Sequence, residues 1–115
     1  MKKIIIIGAT LLAAGCFLMT GCGGDAPKQT KNEIHVVTHA NWNPFEYMEN
    51  GKIVGFDVDL AREAVKRAGL TMDLTDAGWE ALFEQIRSHQ ADMAISGVTV
   101  TKDREASYLF SAPYF

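Results

Sequence analysis

The chain has 115 residues, of which 48% are hydrophobic and 22% are charged, a composition typical of a single globular domain. Its formal net charge is −3, so it lacks the basic excess that would favour binding to a nucleic acid. None of its three histidines lies at a metal-ligand spacing from a cysteine or a carboxylate, and no phosphate-binding glycine motif follows a strand. We therefore expect no metal, no cofactor and no nucleic-acid partner.

The amino terminus has the pattern of a bacterial export signal. Two lysines precede an apolar run over residues 4–19, which is shorter than the roughly 20 residues that a spanning helix needs. A true membrane helix is the alternative interpretation of this run. Residues 19–22, Met-Thr-Gly-Cys, resemble a lipobox, in which the cysteine is lipidated after cleavage. Residues 13–16, Ala-Ala-Gly-Cys, are a poorer candidate for the same signal.

These patterns predict three segments. We expect residues 1–21 to form a lipoprotein signal peptide, and residues 22–33 to hold a lipidated Cys22 followed by a flexible glycine-rich and polar tether. Several acyl chains on Cys22, palmitate among them, would hold the protein to a membrane more stably than one chain would. The sequence therefore predicts an extracytoplasmic protein, anchored to the membrane in the periplasm or on the outer face, whose folded domain covers residues 34–115.

The first half of that domain predicts a strand, a hairpin and a helix. The β-branched run Ile34–Thr38 predicts the strand, and Asn50-Gly51 between two short apolar runs is a strong hairpin signal. The helix follows, with Asp57 as its expected N-cap and Gly69 just beyond its end. Its apolar positions recur at helical spacing, and we expect all of them in the core: Phe56, Leu60, Ala61, Ala64, Val65 and Ala68.

The second half predicts more strands that alternate with helices. Its expected elements are a strand over residues 70–75, a helix over 79–89, a strand over 92–95, a helical turn over 101–106 and a short strand over 108–110. In the helix, Leu82, Phe83 and Ile86 are expected to point inward. Strands that alternate with helices in this way indicate an α/β fold with a parallel sheet.

The loop after the predicted strand over residues 92–95 is the best candidate for a binding site. Its sequence passes from Ser96 and Gly97 to Thr101, which can cap a helical turn that contains Arg104. Backbone N–H groups at such a joint can meet an anion, and an arginine there can bind a carboxylate through two hydrogen bonds. In an open parallel sheet, ligands bind outside the carboxyl ends of the strands. The alternative is an ordinary strand-loop-helix joint with Arg104 in solvent.

Two tryptophans are expected near this loop. Trp42 and Trp79 each follow a predicted strand, so both fall near the carboxyl edge of the sheet and can form an aromatic wall of a pocket. Closure of the hydrophobic core is the alternative role for either indole. The acidic residues fall mostly in the first turns of helices and at positions expected to be exposed, so the sequence predicts no acid/base pair.

Five motifs in order resemble the family 3 extracellular solute-binding proteins of bacterial ABC importers, which bind polar amino acids. The resemblance covers residues 34–115. The motifs are Asn43-Pro44-Phe45-Glu46, then residues 51–60 (GKIVGFDVDL), Trp79-Glu80-Ala81-Leu82, Asp92 with residues 96–101 (SGVTVT) and Arg104, and Phe110-Ser111-Ala112-Pro113-Tyr114.

The resemblance implies a type II periplasmic-binding-protein fold, in which two lobes close over an amino acid. It further implies that Arg104, helped by the N–H and hydroxyl of Thr99, binds the ligand α-carboxylate, and that the Gly97 carbonyl accepts from the α-ammonium. Ser96 belongs to the same set of site residues, and Trp42 and Trp79 are expected to pack against the ligand side chain. The implied partners are an amino acid and the permease of an ABC importer, and the protein is expected to be monomeric.

The chain ends at Phe115, before the position where such proteins cross into their second lobe. We therefore expect residues 34–115 to be the amino-terminal part of lobe 1 and to carry half of a binding site. A truncated product without binding function is one alternative. An enzyme similar to periplasmic cyclohexadienyl dehydratases is another, but no acid/base constellation in the sequence favours it, so the main expectation is a protein that is not an enzyme.

Overall fold

The computed structural model of the chain describes residues 32–115. The predicted signal peptide, the lipidation of Cys22 and nearly all of the predicted tether lie outside these residues. Within the part that the structure describes, none of the helices has the length and the apolar character needed to cross a membrane.

Six strands and three helices make up this region. In chain order they are β1 (Glu33–Thr38), β2 (Asn41–Trp42), β3 (Glu46–Glu49), β4 (Lys52–Val54), α1 (Phe56–Arg67), β5 (Thr71–Asp76), α2 (Trp79–Arg87), β6 (Met93–Ala94) and α3 (Lys102–Glu105). They form two small sheets, one parallel and one antiparallel. The predicted α/β architecture with a parallel sheet is confirmed.

The parallel sheet has the order β5-β1-β6, so the first strand lies in the centre. Successive side chains of a strand point to opposite faces, and β1 therefore serves two cores. Val36 packs with Ala61 and Val65 of α1 on one face, whereas Val37 packs with Leu82 of α2 on the other. Helices on both faces explain why the centre of β1 is an apolar run.

The antiparallel sheet is the predicted hairpin with one added strand. β3 pairs with β4 through a turn in which Asn50 and Gly51 have φ values of 49° and 74°, the left-handed conformation that a tight hairpin turn requires. β2 pairs with the other edge of β3 and brings Trp42 opposite Glu46. The hairpin prediction is confirmed.

The junction between the hairpin and α1 overturns the predicted helix start. Helix α1 begins at Phe56, and its N-cap is Gly55, which has a φ of 130°. A Cβ atom at Gly55 would overlap the Phe45 carbonyl oxygen, and that oxygen accepts a hydrogen bond from the Asp57 N–H at 2.9 Å. The prediction of Asp57 as the N-cap was wrong, because this close approach starts the helix earlier and buries Asp57 in its first turn.

The rotation of α1 also differs from the prediction. Its buried residues are Asp57, Val58, Ala61 and Val65. Phe56, Ala64 and Ala68, which were predicted to lie in the core, are exposed, and Phe56 is 47% exposed. A helix that packs on a sheet buries a stripe rather than every apolar position, and here the stripe is centred on Val58, Ala61 and Val65.

The carboxyl-terminal part has less regular structure than the sequence predicts. Helix α2 ends at Arg87, two residues before its predicted end. Residues 108–110 form no strand. The Tyr108 N–H donates to the Arg104 carbonyl at 2.8 Å, and the Tyr108 ring contacts Phe83 of α2. Tyr108 therefore closes a turn against α2 instead of pairing with a sheet. The predicted cap of α3 is confirmed, since the Thr101 side chain accepts from the Arg104 N–H.

Candidate functional site

The carboxyl ends of the three parallel strands meet at the loop that contains Ser96 and Gly97. The Ile95 N–H donates to the Val37 carbonyl at 3.1 Å, which extends the sheet up to this loop. His39, just beyond β1, joins the strand ends: its N–H donates to Ser96 Oγ at 3.2 Å, and its Nδ1 lies 2.9 Å from the Ala77 carbonyl oxygen beyond β5. The loop therefore begins at an edge of the sheet that hydrogen bonds hold together. This is the edge at which the sequence predicted a binding site.

Arg104 lies against two aromatic rings at the far end of this loop. Its Nη1 donates to the Thr99 carbonyl at 2.9 Å, and its Cζ lies 5.5 Å from the centre of the Trp79 ring and 5.3 Å from that of Phe83. Among residues 32–115, Arg104 forms no salt bridge. A guanidinium carries five N–H donors, so most of its donors remain available to an anionic ligand.

Trp79, the first residue of α2, provides one of the two rings that Arg104 contacts. It contacts Phe83 edge to face, with ring centres 5.0 Å apart, and Phe83 in turn contacts Tyr108 at 5.6 Å. An open pocket of about 330 Å³ lies here and is also lined by Glu80. The sequence predicted only a core position for Phe83, so its contact with Arg104 was missed. Trp79 and Phe83 are four residues apart on a helix and therefore share a face, which could have indicated this contact.

Trp42 lies at the opposite end of the loop, over Gly97. Its side chain is 53% exposed, so it does not close the core. Gly97 has a φ of 54°, and a Cβ atom there would come within 2.8 Å of Trp42 Cζ3. Glycine therefore permits both the left-handed backbone and the close approach of the indole. The structure brings Trp42 to Gly97 and Trp79 to Arg104, at the two ends of one loop.

Ser96 and Thr99 have different surroundings. Ser96 is 2% exposed, and its hydroxyl donates to Glu46 Oε1 at 2.8 Å while it accepts from the His39 N–H. The Ser96 side chain is thus engaged inside the protein. Thr99 is exposed, and its hydroxyl has no hydrogen bond within residues 32–115, which leaves it available to a ligand beside Arg104.

A buried pair of carboxyl groups lies under the loop, contrary to the prediction that the acidic side chains are solvated. Glu46 is 1% exposed and Asp57 is fully buried. Asp57 Oδ2 accepts from the Gly97 N–H at 2.8 Å and from the Tyr114 hydroxyl at 2.9 Å. Burial raises the pKa of Glu46 to about 7, the Ser96 hydrogen bond opposes that rise, and the nearby Asp57 charge adds to it.

Tyr114 and the buried carboxyl groups were missed as parts of the site. Burial, together with the hydrogen bond to Asp57, raises the pKa of the Tyr114 hydroxyl well above its ordinary value. Glu46, Asp57 and Tyr114 all fall within the motifs quoted above, but a motif does not say which of its side chains meet in space. Within residues 32–115, no three or more histidine, cysteine or acidic side chains are grouped to hold a metal ion.

Residues 34–115 match the bacterial extracellular solute-binding proteins, family 3. The chain belongs to this family. Among curated relatives, it is 36% identical over 119 residues to the arginine-binding extracellular protein ArtP of Bacillus subtilis, an alignment that covers 100% of this chain and 45% of ArtP. The chain thus spans just under half the length of the curated relatives that it matches.

Several solved structures share this fold. The arginine-, lysine-, histidine-binding protein ArtJ of Geobacillus stearothermophilus is 52% identical, with a TM-score of 0.70 over 72% of this chain and 36% of ArtJ. The arginine-bound form of domain 1 from TmArgBP is 40% identical, with a TM-score of 0.70 over 73% of this chain and 68% of that domain. An ancestral cyclohexadienyl dehydratase is 32% identical, with a TM-score of 0.68 over 73% of this chain and 35% of that protein.

Proposed function

We propose that this protein is the extracytoplasmic substrate-binding component of an amino-acid ABC transporter. In this proposal Arg104 binds the α-carboxylate of the amino acid, assisted by the N–H and hydroxyl of Thr99. The observation that carries the proposal is the setting of the Arg104 guanidinium, which lies against two aromatic rings with one nitrogen bonded to Thr99 and without a carboxylate partner among residues 32–115. Such a guanidinium is oriented before the ligand arrives.

The proposed ligand is an amino acid with a cationic side chain. Trp42 and Trp79 present two indole rings at the ends of the loop, and an aromatic face attracts a guanidinium, an imidazolium or an ammonium. The names of ArtP and ArtJ support this class, since they describe proteins that bind arginine, lysine or histidine. In the proposal, the Gly97 carbonyl accepts from the α-ammonium, whereas Ser96 supports the loop from below.

Residues 34–115 are proposed to be the amino-terminal part of lobe 1, which holds half of the site. The α-ammonium and the side chain of a ligand in such a half-site keep more contact with water than in a closed two-lobed protein, so the affinity of this half is expected to be lower. The arginine-bound domain 1 from TmArgBP supports binding by a single lobe of this fold.

Isothermal calorimetry on the full chain tests the proposed ligand class. We expect heat of binding with L-arginine, L-lysine or L-histidine, and much less with L-glutamate, whose side chain carries the wrong charge for two indoles. The Arg104→Ala variant should abolish the signal, whereas the control Arg62→Ala should retain it, because Arg62 is exposed on α1 and pairs there with Asp59. An Arg104→Ala variant that binds as well as the parent chain would refute the proposal.

A truncated product without function and a cyclohexadienyl dehydratase are the two competing proposals. The first predicts no binding heat with any amino acid, although the chain folds. The second predicts turnover of prephenate or arogenate, and the similarity to an ancestral dehydratase is what supports it. Glu46, the acid whose pKa is raised, is only 1% exposed, so the binding function is the proposal that we favour.

We also propose that Cys22 is lipidated and anchors a monomeric protein to the membrane, with the permease of the importer as its partner. Labelling of cells with a palmitate analogue tests the anchor. Label is expected on the parent protein and on the Cys16→Ser variant, and it should be lost from the Cys22→Ser variant. If only the Cys16→Ser variant lost the label, the lipidated residue would be Cys16 and not Cys22.

A further inference from the structure

We propose that Glu46 and Asp57 share one proton, and that this buried pair is a positioning device that holds Ser96 and Gly97 in the geometry that the ligand requires. The proposal has two parts. The first is the protonation state of the pair, which stands on the geometry of the fold alone. The second is its effect on ligand binding, which rests on the function proposed above.

The hydrogen bonds of the pair favour a proton on one of the two side chains. Glu46 Oε1 accepts from the Ser96 hydroxyl, and Asp57 Oδ2 accepts from Gly97 and Tyr114. The other two oxygens, Glu46 Oε2 and Asp57 Oδ1, are buried and have no donor among the described residues. Because Glu46 and Asp57 bond to the adjacent residues Ser96 and Gly97, the two carboxyl groups lie close together under the loop. Two carboxylates would leave both of these buried oxygens without a donor, whereas a shared proton gives the pair a donor of its own.

The proton belongs on Glu46 rather than on Asp57. Asp57 receives hydrogen bonds from the Gly97 N–H and the Tyr114 hydroxyl, and two donors favour its charged form. Glu46 receives one, from Ser96. Two like charges buried side by side are unfavourable, so one member of such a pair remains neutral at a pH where an isolated carboxyl would ionise.

The pair connects the folded core with the first two residues of the ligand loop. Glu46 holds the Ser96 side chain, and Asp57 holds the Gly97 backbone N–H. Gly97 in turn lies under Trp42, one of the proposed walls of the site. Loss of the shared proton would place two negative charges under this loop, and we expect their repulsion to loosen Ser96 and Gly97 and to weaken ligand binding.

Two other titratable groups face the pair. His39, beyond β1, contributes a favourable Coulombic interaction with Glu46, and the hydroxyl of Tyr114 in the carboxyl-terminal segment donates to Asp57. Asp57 itself belongs to α1. The variant His39→Asn removes the imidazole while an amide can still donate toward the Ala77 carbonyl, so it separates a contribution of His39 from that of the pair.

The sign of the pH effect follows from the raised pKa of Glu46. Between its ordinary pKa of 4.5 and its raised pKa of about 7, the folded chain holds a proton that the unfolded chain has released. The free energy of unfolding therefore falls as the pH rises through this range and is constant above it. A pair that is ionised on both members in the fold would give no such fall.

Carbon-13 NMR of the full chain gives the first test, because it reads the Glu46 carboxyl directly and needs no ligand. We expect the Glu46 resonance to titrate close to neutral pH, and the parent chain to lose stability to urea as the pH rises through the same range. The control Glu49→Gln, on the exposed end of the same strand, should keep this pH profile. A Glu46 resonance that titrates near its ordinary pKa would overturn the proposal.

Two matched variants then test which member carries the proton. Glu46→Gln supplies a permanent N–H toward Asp57, so the variant should fold and lose the pH dependence of its stability. Asp57→Asn replaces an acceptor of three donors by a group with donors of its own, so it should be far less stable at every pH. Equal destabilisation by the two variants at low pH would contradict a neutral Glu46.

Titrations with arginine at several pH values test the effect of the pair on ligand binding. The parent chain is expected to bind arginine several-fold more weakly at alkaline than at mildly acidic pH, and Glu46→Gln should not show this difference. A parent chain whose affinity does not change with pH while Glu46 titrates would refute the positioning role alone. Failure to bind arginine at any pH would refute the proposed ligand, and the NMR titration would still decide the protonation of the pair.

Discussion

The two ends of the ligand loop are built in different ways. Ser96 and Gly97, at the inner end, are held by buried side chains through short hydrogen bonds to Glu46 and Asp57. Thr99 and Arg104, at the outer end, are held by one hydrogen bond to a backbone carbonyl and by aromatic rings at the surface. The inner end consists of buried side chains that bond to the loop, whereas the outer end keeps donors free.

This difference separates two requirements of a binding site. A site needs groups that meet the ligand, and it needs neighbours that keep those groups in place. The outer end provides the first with a guanidinium on aromatic rings, and the inner end provides the second with a buried polar network. Substitutions at the outer end should therefore change affinity more than stability, and those at the inner end should change stability as well.

After Arg104→Ala, the largest effect on affinity is expected from Arg104→Lys. Lysine keeps the positive charge but loses the planar fork and the stacking on Trp79 and Phe83. We expect arginine to bind about 2 kcal/mol more weakly, roughly thirtyfold in the dissociation constant measured by calorimetry. Arg62→Lys is the matched control on an exposed face of α1 and should bind as the parent does. If Arg104→Lys lost as much free energy of unfolding as free energy of binding, the outer end would not differ from the inner end in the way described.

A smaller effect on affinity is expected from Trp79→Ala. This change removes the ring under Arg104 and its contact with Phe83, so the guanidinium loses its orientation. We expect binding to weaken by about 1.5 kcal/mol, roughly tenfold. Trp79→Phe keeps an aromatic face and should recover most of the affinity. If Trp79→Phe were as weak as Trp79→Ala, the aromatic face would not be what orients Arg104.

At the inner end, Gly97→Ala tests the contact with Trp42. The added methyl meets a left-handed backbone and lies 2.8 Å from Trp42 Cζ3. Gly69→Ala is the control, because Gly69 has a φ of 74° but nothing lies within 4 Å of its added Cβ. Urea unfolding should show that Gly97→Ala is less stable than Gly69→Ala by about 1 kcal/mol. Equal losses would mean that Trp42 moves aside without cost.

The smallest effect is expected from Tyr114→Phe, which removes one donor from Asp57. Because Tyr114 is 40% exposed, water can replace part of this bond, and we expect a loss of about 0.5 to 1 kcal/mol in the free energy of unfolding. The control is Tyr47→Phe, since the Tyr47 hydroxyl has no hydrogen bond among the residues that the structure describes. No difference between the two variants would remove Tyr114 from the network at the inner end.

Much of the outer end could be predicted from the sequence. The Thr101 cap, the place of Arg104 in the turn that follows and the position of Trp79 at the start of a helix all depend on residues close together in the chain. Such local patterns of capping and periodicity carry their own structural signal. The inner end could not be predicted in this way, because Glu46, Asp57 and Ser96 come from a hairpin, a helix and a loop that meet only after folding.

The sequence by itself determined the order of most strands and helices, the hairpin at Asn50 and Gly51 and the membership of a solute-binding family. Tertiary structure decided the rotation of α1, which exposes Phe56 and buries Asp57, and it turned Tyr108 against α2 where a strand was predicted. The physical reason is the same in each case. Turn and cap signals are local, whereas the burial of a side chain depends on which neighbours cover it, and those neighbours are distant in the chain.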